Sequence, residues 1–241
     1  MKKVAIIFIG TGRYLNFFPD YYENAENYLF PDALNNYYVF TDGDFDGVLP
    51  DNVSAIPLEH MEWPYITLYR FKFILNAWDL LKHNDYLLFM DADTRVVEEI
   101  KLEDMFDKKK PLTGVHHPCH DLGMDPHKEF PGAFETNPGS TCHIKAGEDI
   151  STYWQACVWG GRMKQVKEMM EVLDDRITVD EGNGIIAKWH DESQLNRYFL
   201  DNKERVNTLT PSYAYPEVFK SVMEHPPKIV HLAKENSEYQ V

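Results

Sequence analysis

The run Val4-Ala5-Ile6-Ile7-Phe8-Ile9 is apolar at every position and closes abruptly at Gly10-Thr11-Gly12. A strand with one face in water alternates apolar and polar residues, so an unbroken apolar run reads as a strand buried on both faces. Helices packed on either side of a sheet provide that burial, which predicts an α/β chain from its first element. Tyr86-Leu87-Leu88-Phe89-Met90 repeats the pattern and runs straight into Asp91-Ala92-Asp93. Ligands of open α/β sheets sit at the carboxyl ends of strands, so the residues after these two runs are the first candidates for a site.

The segments between them fit the same class. A helical stretch from about Tyr14 to Phe30 precedes a second strand at Tyr37–Thr41, giving the order β-α-β, and a short strand follows near Val53–Ile56. Leu68, Phe71, Ile74, Leu75, Trp78 and Leu81 recur at spacings of three and four, which predicts an amphipathic helix over 66–82. Residues 108–148 are rich in His, Pro and Gly and read as long loops with short strands. Helices are predicted over 162–174 and about 192–200, and a strand over 228–232, followed by nine polar residues. With 241 residues, 44% of them hydrophobic, and no repeat or linker, the chain is predicted to be a single domain.

Charge and composition narrow the function classes. The 39 acidic against 24 basic residues give a formal charge of -15, which opposes binding nucleic acid or an anionic lipid surface through bulk charge and favours a cation. The longest apolar runs fall far short of the roughly 20 residues of a membrane span, and Met1-Lys2-Lys3 leads into a strand rather than a signal peptide. Cys119, Cys142 and Cys157 form an odd set without CxxC spacing, as in a reduced compartment. A soluble cytoplasmic enzyme or binding protein is expected.

Two acidic clusters carry the chemistry. In an extended chain Asp91 and Asp93 project to one side with Ala92 on the other, and two such anions repel unless a cation lies between them. Mg²⁺ or Mn²⁺ suits such oxygen donors and keeps positions open for phosphate; the alternative is that these aspartates only cap a turn. Trp189-His190-Asp191-Glu192-Ser193 places two carboxylates beside aromatic rings ahead of a helix. Asp191 reads there as an N-cap with an acidic first turn, but Trp189-His190 is better explained by a sugar site, where acids take hydroxyls and rings take the C–H face.

The pieces FIGTGRY (Phe8 to Tyr14), WP…YR (Trp63 to Arg70), FMDAD (Phe89 to Asp93), FETNPGST (Phe134 to Thr141), YWQACVWGG (Tyr153 to Gly161), WHDES-LN-YFL (Trp189 to Leu200) and LTPSYAYPE (Leu209 to Glu217) follow one another in the order found in glycosyltransferase family 6. The chain resembles that family, which includes the blood-group A and B transferases and α-1,3-galactosyltransferase, from near its first residue to about Tyr239. The resemblance implies a GT-A fold with a mixed central sheet, a nucleotide-binding half over about 1–98 and an acceptor and catalytic half over about 99–241. It implies a retaining transfer of galactose or N-acetylgalactosamine from a UDP-sugar, in α-1,3 linkage, to a β-galactoside on an oligosaccharide acceptor. Asp91 and Asp93 inherit the Mn²⁺ (or Mg²⁺) role against the diphosphate, and Tyr14 the stacking on uracil. Trp63 and Arg70 match residues beside the nucleotide-sugar, while Ile9, Ala92, Gln155, Ala156, Cys157 and Lys234 complete the implied donor set. Asp191 matches the residue holding donor-sugar hydroxyls and Glu192 the catalytic glutamate at the anomeric carbon; His117, Trp189 and His190 fall on the acceptor side. Lys234 is the implied basic residue closing over the phosphates.

Departures from the pattern sharpen these expectations. Most bacterial relatives in that family carry NxN in place of DxD and work without metal, whereas both aspartates here predict metal dependence. With no anchor or stem expected, a bacterial or viral source is implied. Cys157 is bulkier than glycine and would crowd an N-acetyl group, which leans the donor toward galactose, with another UDP-hexose such as UDP-GlcNAc as the alternative. FETNP stands where many members have a Tyr-Glu-Arg-Arg run. His116, His117, Cys119 and His120 crowd one loop, but their spacing is unlike usual zinc motifs and an acceptor loop is preferred. Gly10-Thr11-Gly12 is neither a P-loop nor a full GxGxxG, and His231 reads as a structural strand histidine. A sugar- or nucleotide-binding protein without turnover would lack Glu192 or the DxD, and a metal phosphohydrolase would need further ligands near the DxD.

Overall fold

The computed structural model describes residues 1–45, 47–129 and 131–234, so the end of the resemblance near Tyr239 lies outside the described residues. The first apolar run forms β1 (Lys2–Ile9). A 3₁₀ turn over Gly12–Phe17 leads into α1 (Phe18–Tyr28), so the helix predicted from Tyr14 starts four residues late. Then come β2 (Ala33–Thr41) and β3 (Val53–Pro57). The helix predicted over 66–82 is three pieces, α2 (Tyr65–Leu68), α3 (Arg70–Asn76) and α4 (Trp78–Leu81). Its breaks fall at Tyr69 and Ala77, where ψ opens to 11°. The break at Tyr69 lets Arg70 and Phe71, adjacent in sequence, both be buried.

Next along the chain are β4 (Tyr86–Met90), β5 (Thr94–Val96), α5 (Leu102–Met105), β6 (Leu112–His116) and α6 (Pro118–Leu122). The long strand β7 (Trp154–Arg162) follows. Two helices come after it: α7 (Met163–Gly182), which ends eight residues beyond the predicted 174, and α8 (His190–Asp201). The chain then forms β8 (Val206–Leu209), β9 (Tyr215–Pro216) and β10 (Ile229–His231).

Seven strands make one mixed sheet in the order β3-β2-β1-β4-β7-β6-β8. All pairs are parallel except those of β7, which runs against both β4 and β6. As the unbroken run predicts, β1 is covered on both sides. Val4, Ile6 and Phe8 pack with Phe18, Tyr21 and Ala25 of α1. Ala5 and Ile7 join the opposite core with Phe71 and Ile74 of α3 and Val166, Met169 and Met170 of α7. The architecture is that of a single-domain GT-A type α/β fold. Among the described residues no helix is long and apolar enough to cross a membrane.

The reversed strand decides where chemistry collects. The carboxyl ends of β1, β4 and β6 and the amino end of β7 lie at one edge of the sheet, so Asp91 meets Cys157, its N–H donating to the Cys157 carbonyl at 2.8 Å. Close approach of the neighbours is possible because β7 carries Gly160, where an added Cβ would lie 2.3 Å from the Leu87 oxygen. A second sheet, β5-β10-β9, pairs β5 antiparallel with β10 directly after Asp93 and so brings the 228–234 segment to the same edge.

Candidate active site

A buried arginine organises the edge. Arg70 projects from α3 with Nη1 3.2 Å from Asp91 Oδ1 and 3.0 Å from the Ala156 carbonyl. Its Nε donates to the Thr67 carbonyl at 3.2 Å and lies 3.2 Å from Asp191 Oδ2. The guanidinium carbon sits 4.6 Å from the centre of the Phe89 ring, so its face is covered while its edges meet acids. Burial opposes its charge, but Asp191 and Asp91 outweigh that and raise its proton affinity.

The two acids of α8 differ in setting. The helix begins at His190, whose positive φ of 50° swings the chain from loop into helix, and its N-cap is Trp189 rather than the predicted Asp191. Asp191 and Glu192 therefore lie inside the first turn, where the helix dipole favours anions. Asp191 is buried, and its Oδ2 has no hydrogen-bond partner because the Nε–H of Arg70 is aimed at Thr67. Burial pushes the Asp191 carboxyl up to about 7 despite Arg70, and Asp91 and Glu192 nearby add to the rise. Glu192 accepts from the Tyr153 hydroxyl at 2.8 Å and from the Ala156 N–H at 3.0 Å. Those bonds hold its carboxylate in one place, and burial raises its affinity for a proton.

Asp91, Asp93 and His231 place one ligand atom each within 4.8 Å of one another, so the two aspartates converge as the alternation predicts. Asp93 is buried at the tip of the β4–β5 turn, with His231 Nε2 3.2 Å from Oδ2 and Lys234 Nζ in contact with the same oxygen. Burial alone would raise the Asp93 carboxyl, but His231 and Lys234 hold it well below the usual carboxylate range. The donor set of two carboxylates and an imidazole suits a divalent ion of the Mn²⁺ kind, and Asp93 already sits where cations gather. His231, read from sequence as a structural residue, thus stands at this cluster.

Lys234 also lies 4.7 Å from the centre of the Tyr14 ring, which joins two of the implied donor residues in one contact. The turn after β1 is fixed by Gly12 N–H donating to Asp42 at 2.8 Å and by a 2.9 Å hydrogen bond between Thr11 Oγ1 and His60 Nδ1. Ile9, half-buried, ends β1 just before this turn. Ala92 is buried and contributes no polar side chain. Ala156 acts through its backbone, whose N–H reaches Glu192 and whose carbonyl reaches Arg70.

Gln155 and Cys157 are less open to a ligand than the resemblance implies. The Gln155 amide donates to the carbonyls of Ala214 at 2.9 Å and His116 at 3.2 Å, so its polar capacity is spent inside the protein. The Cys157 thiol is buried beneath Asp91 and 3.6 Å from Gln155 Oε1, and burial pushes it up into its protonated form. The Trp63 and His190 rings, implied on the donor and acceptor sides respectively, meet edge to face at 4.7 Å, and Trp63 is 58% exposed. Trp189 is exposed beside them. His117 packs against His127 and Tyr153, and burial pushes its imidazole down to about 3, so it is neutral at ordinary pH.

Four residues escape sequence reasoning from pattern alone. Tyr153 carries a Glu192 bond while touching His117. Asn196 clamps α8 to β7, accepting from Trp154 N–H and donating to its carbonyl, both at 2.8 Å. Asp42 and His60 shape the turn after β1. WHDES-LN-YFL contains Asn196, but no periodicity distinguishes a clamp from a surface amide.

Residues 2–241 match the profile described as glycosyltransferase family 6. The chain is 33% identical over 222 residues to the O-antigen biosynthesis glycosyltransferase WbnI of Escherichia coli, covering 90% of this chain and 89% of that one. It is 28% identical to human globoside alpha-1,3-N-acetylgalactosaminyltransferase 1 over 89% of this chain and 61% of that protein. To rat histo-blood group ABO system transferase 1 it is 26% identical over 85% of this chain and 58% of that protein. The chain thus spans about three fifths of the length of these mammalian relatives.

Proposed function

The chain belongs to glycosyltransferase family 6, and from that membership and the geometry of the edge we propose that it is a retaining, metal-dependent hexosyltransferase. It moves galactose or N-acetylgalactosamine from a UDP-sugar, in α-1,3 linkage, onto a β-galactoside of an oligosaccharide acceptor, in the cytoplasm. The observation that carries this reading is Glu192, fixed by Tyr153 and Ala156 beside the unpartnered oxygen of Asp191.

Cleaving a sugar–phosphate bond builds negative charge on the departing UDP and positive charge on the anomeric carbon. Glu192 presents a fixed carboxylate to that positive charge, and its two donors prevent it from swinging away. Asp191 offers Oδ2, which has the 3.2 Å ion pair with Arg70 but no hydrogen bond, to a donor-sugar hydroxyl. Arg70, engaged on two acids and two carbonyls, positions Asp91 and Asp191 more than it binds phosphate. Lys234, in contact with Asp93, is the cation assigned to a phosphate oxygen in this reading, and Tyr14 beside it the ring assigned to the uracil; both assignments are supported by the contact between them. Asp91 and Asp93, with His231 adjacent, would hold Mn²⁺ or Mg²⁺, whose charge supplies the counter-ion for the diphosphate. His117, Trp189 and His190 form the acceptor side, and the bulk of Cys157 favours galactose.

The reading is tested by a screen of UDP-sugars with Mn²⁺, lactose and a fucosylated acceptor, comparing the wild type with Glu192→Gln and Asp93→Asn. Glu192→Gln should lose about 10²–10⁴-fold in kcat with UDP still bound, and Asp93→Asn or exhaustive chelation should abolish turnover. Wild-type rates in Glu192→Gln would refute the catalytic role, and full activity after chelation would refute the metal.

A further inference from the structure

A second group of ligand-bearing side chains lies away from Asp91 and Asp93, on the loop that follows β6. His116 ends that strand, and Pro118 turns the chain at once into α6, so His120 and Asp121 fold back toward the strand end. His116 Nε2 lies 2.8 Å from Asp121 Oδ2 and His120 Nδ1 lies 3.8 Å from Asp121 Oδ1. The ligand atoms of all three residues fall within 4.8 Å of one another. The Nδ1 atom of His120 is buried and has no hydrogen-bond partner, and the same holds for Nδ1 of His127, whose ring centre is 6.0 Å from that of His120. Buried polar atoms without partners are rare in native proteins, and one beside a second imidazole and a carboxylate has the environment of a metal ligand awaiting its ion.

We propose that His116, His120 and Asp121 form a binding site for a zinc-type transition-metal dication, separate from the Asp91–Asp93 cluster. Two imidazole nitrogens and one carboxylate oxygen are donors that prefer Zn²⁺ or Co²⁺ to Mg²⁺, whereas the carboxylate-rich first cluster suits harder ions. Three protein ligands leave a fourth position for water. His117, between the ligands in sequence, is not one of them, because its Nδ1 accepts the Cys119 N–H. The ligands sit at relative positions one, five and six across a strand-to-helix junction, a spacing unlike the paired ligands of zinc fingers. A bound ion ties the end of β6 to α6 and fixes the loop that carries His117, so it acts on the acceptor side of the molecule.

The test is a calorimetric Zn²⁺ titration of the untagged chain carrying Asp91→Asn and Asp93→Asn, which removes the carboxylates of the first cluster. One equivalent of Zn²⁺ is expected to bind and to raise the thermal midpoint. Adding His120→Ala or Asp121→Asn should weaken binding at least about tenfold and remove that rise. Co²⁺ should give the visible absorption of a nitrogen–oxygen tetrahedral site, lost with His120→Ala. Asp121 is 66% exposed, so Asp121→Asn keeps the fold, and the metal-free thermal midpoint verifies this. No Zn²⁺ binding in the Asp91→Asn/Asp93→Asn chain, or binding unchanged by both ligand substitutions, overturns the proposal.

Discussion

Asp191 shares a single guanidinium with Asp91, and Glu192 follows it on the same helix turn, so three acids crowd around one buried cation. Burial is the main reason the Asp191 carboxyl is pushed up to about 7 from its ordinary 3.8, against the pull of Arg70, with Asp91 and Glu192 adding to the rise. The consequence for stability has a definite sign. Between about pH 4 and pH 7 the native state holds a proton on Asp191 that the unfolded chain has released, so stability falls as pH rises through that window and levels off above it. The loss is on the order of 4 kcal/mol for one group moved by about three units. Burial of neutral His117 and His127 pushes stability the other way over the same range, so the Asp191 part is read as a difference: in chemical denaturation of metal-free protein across pH 4–8, wild-type stability minus that of Asp191→Asn should fall with pH. Parallel profiles would mean the carboxyl is ionised throughout. Cys157 is buried, with its carbonyl accepting the Asp91 N–H, and on the proposed galactose preference Cys157→Gly should shift the ratio of kcat/KM for UDP-N-acetylgalactosamine over UDP-galactose upward by about tenfold or more. An unchanged ratio would remove that side chain from donor choice.

The elements place these residues through β7 and α8. Asn196, one turn beyond Glu192, bonds both the N–H and the carbonyl of Trp154 and also the Glu192 carbonyl. Its truncation leaves two buried backbone groups unpaired, so Asn196→Ala should cost about 1–3 kcal/mol in a denaturant melt. Because Glu192 rides on the same turn, that variant should also lose kcat with little change in KM for the nucleotide-sugar. A stability loss alone would make the clamp purely structural. Much of this architecture was legible beforehand: β1, β2 and β4 announced themselves by unbroken apolar runs, and Asp91-Ala92-Asp93 by its place after one of them. The central strand β7 did not, since Gln155, Gly160 and Gly161 interrupt its hydrophobic pattern for reasons of close packing and internal hydrogen bonding. The breaks at Tyr69 and Ala77 were equally silent, because no proline or glycine marks either position. The site residues were readable as types and by resemblance; the Tyr153 and Asn196 contacts depend on β7 running antiparallel, which no local pattern encodes.

Across the whole molecule, a formal charge of -15 surrounds a site proposed to receive an anionic nucleotide-sugar. Long-range repulsion should slow its arrival, and salt screens such repulsion over about 10 Å at 0.1 M. The association rate of UDP measured by stopped flow should accordingly rise between about 0.01 and 0.15 M salt, opposite to the behaviour of an electrostatically steered enzyme. A rate that falls with salt would show that the positive groups at the edge dominate the approach. The pairing of Asp93 with Lys234 spans 141 positions of sequence, and β10 reaches β5 from a similar distance. In a chain made from its amino terminus, β1 through β4 can form long before that partner exists, and during the interval Asp93 has neither His231 nor Lys234 to offset the cost of burying its charge. Assembly of the edge around Asp93 is thus deferred until residues 229–234 have been made, and a ribosome stalled short of residue 229 would carry most of the sheet with that edge unfinished.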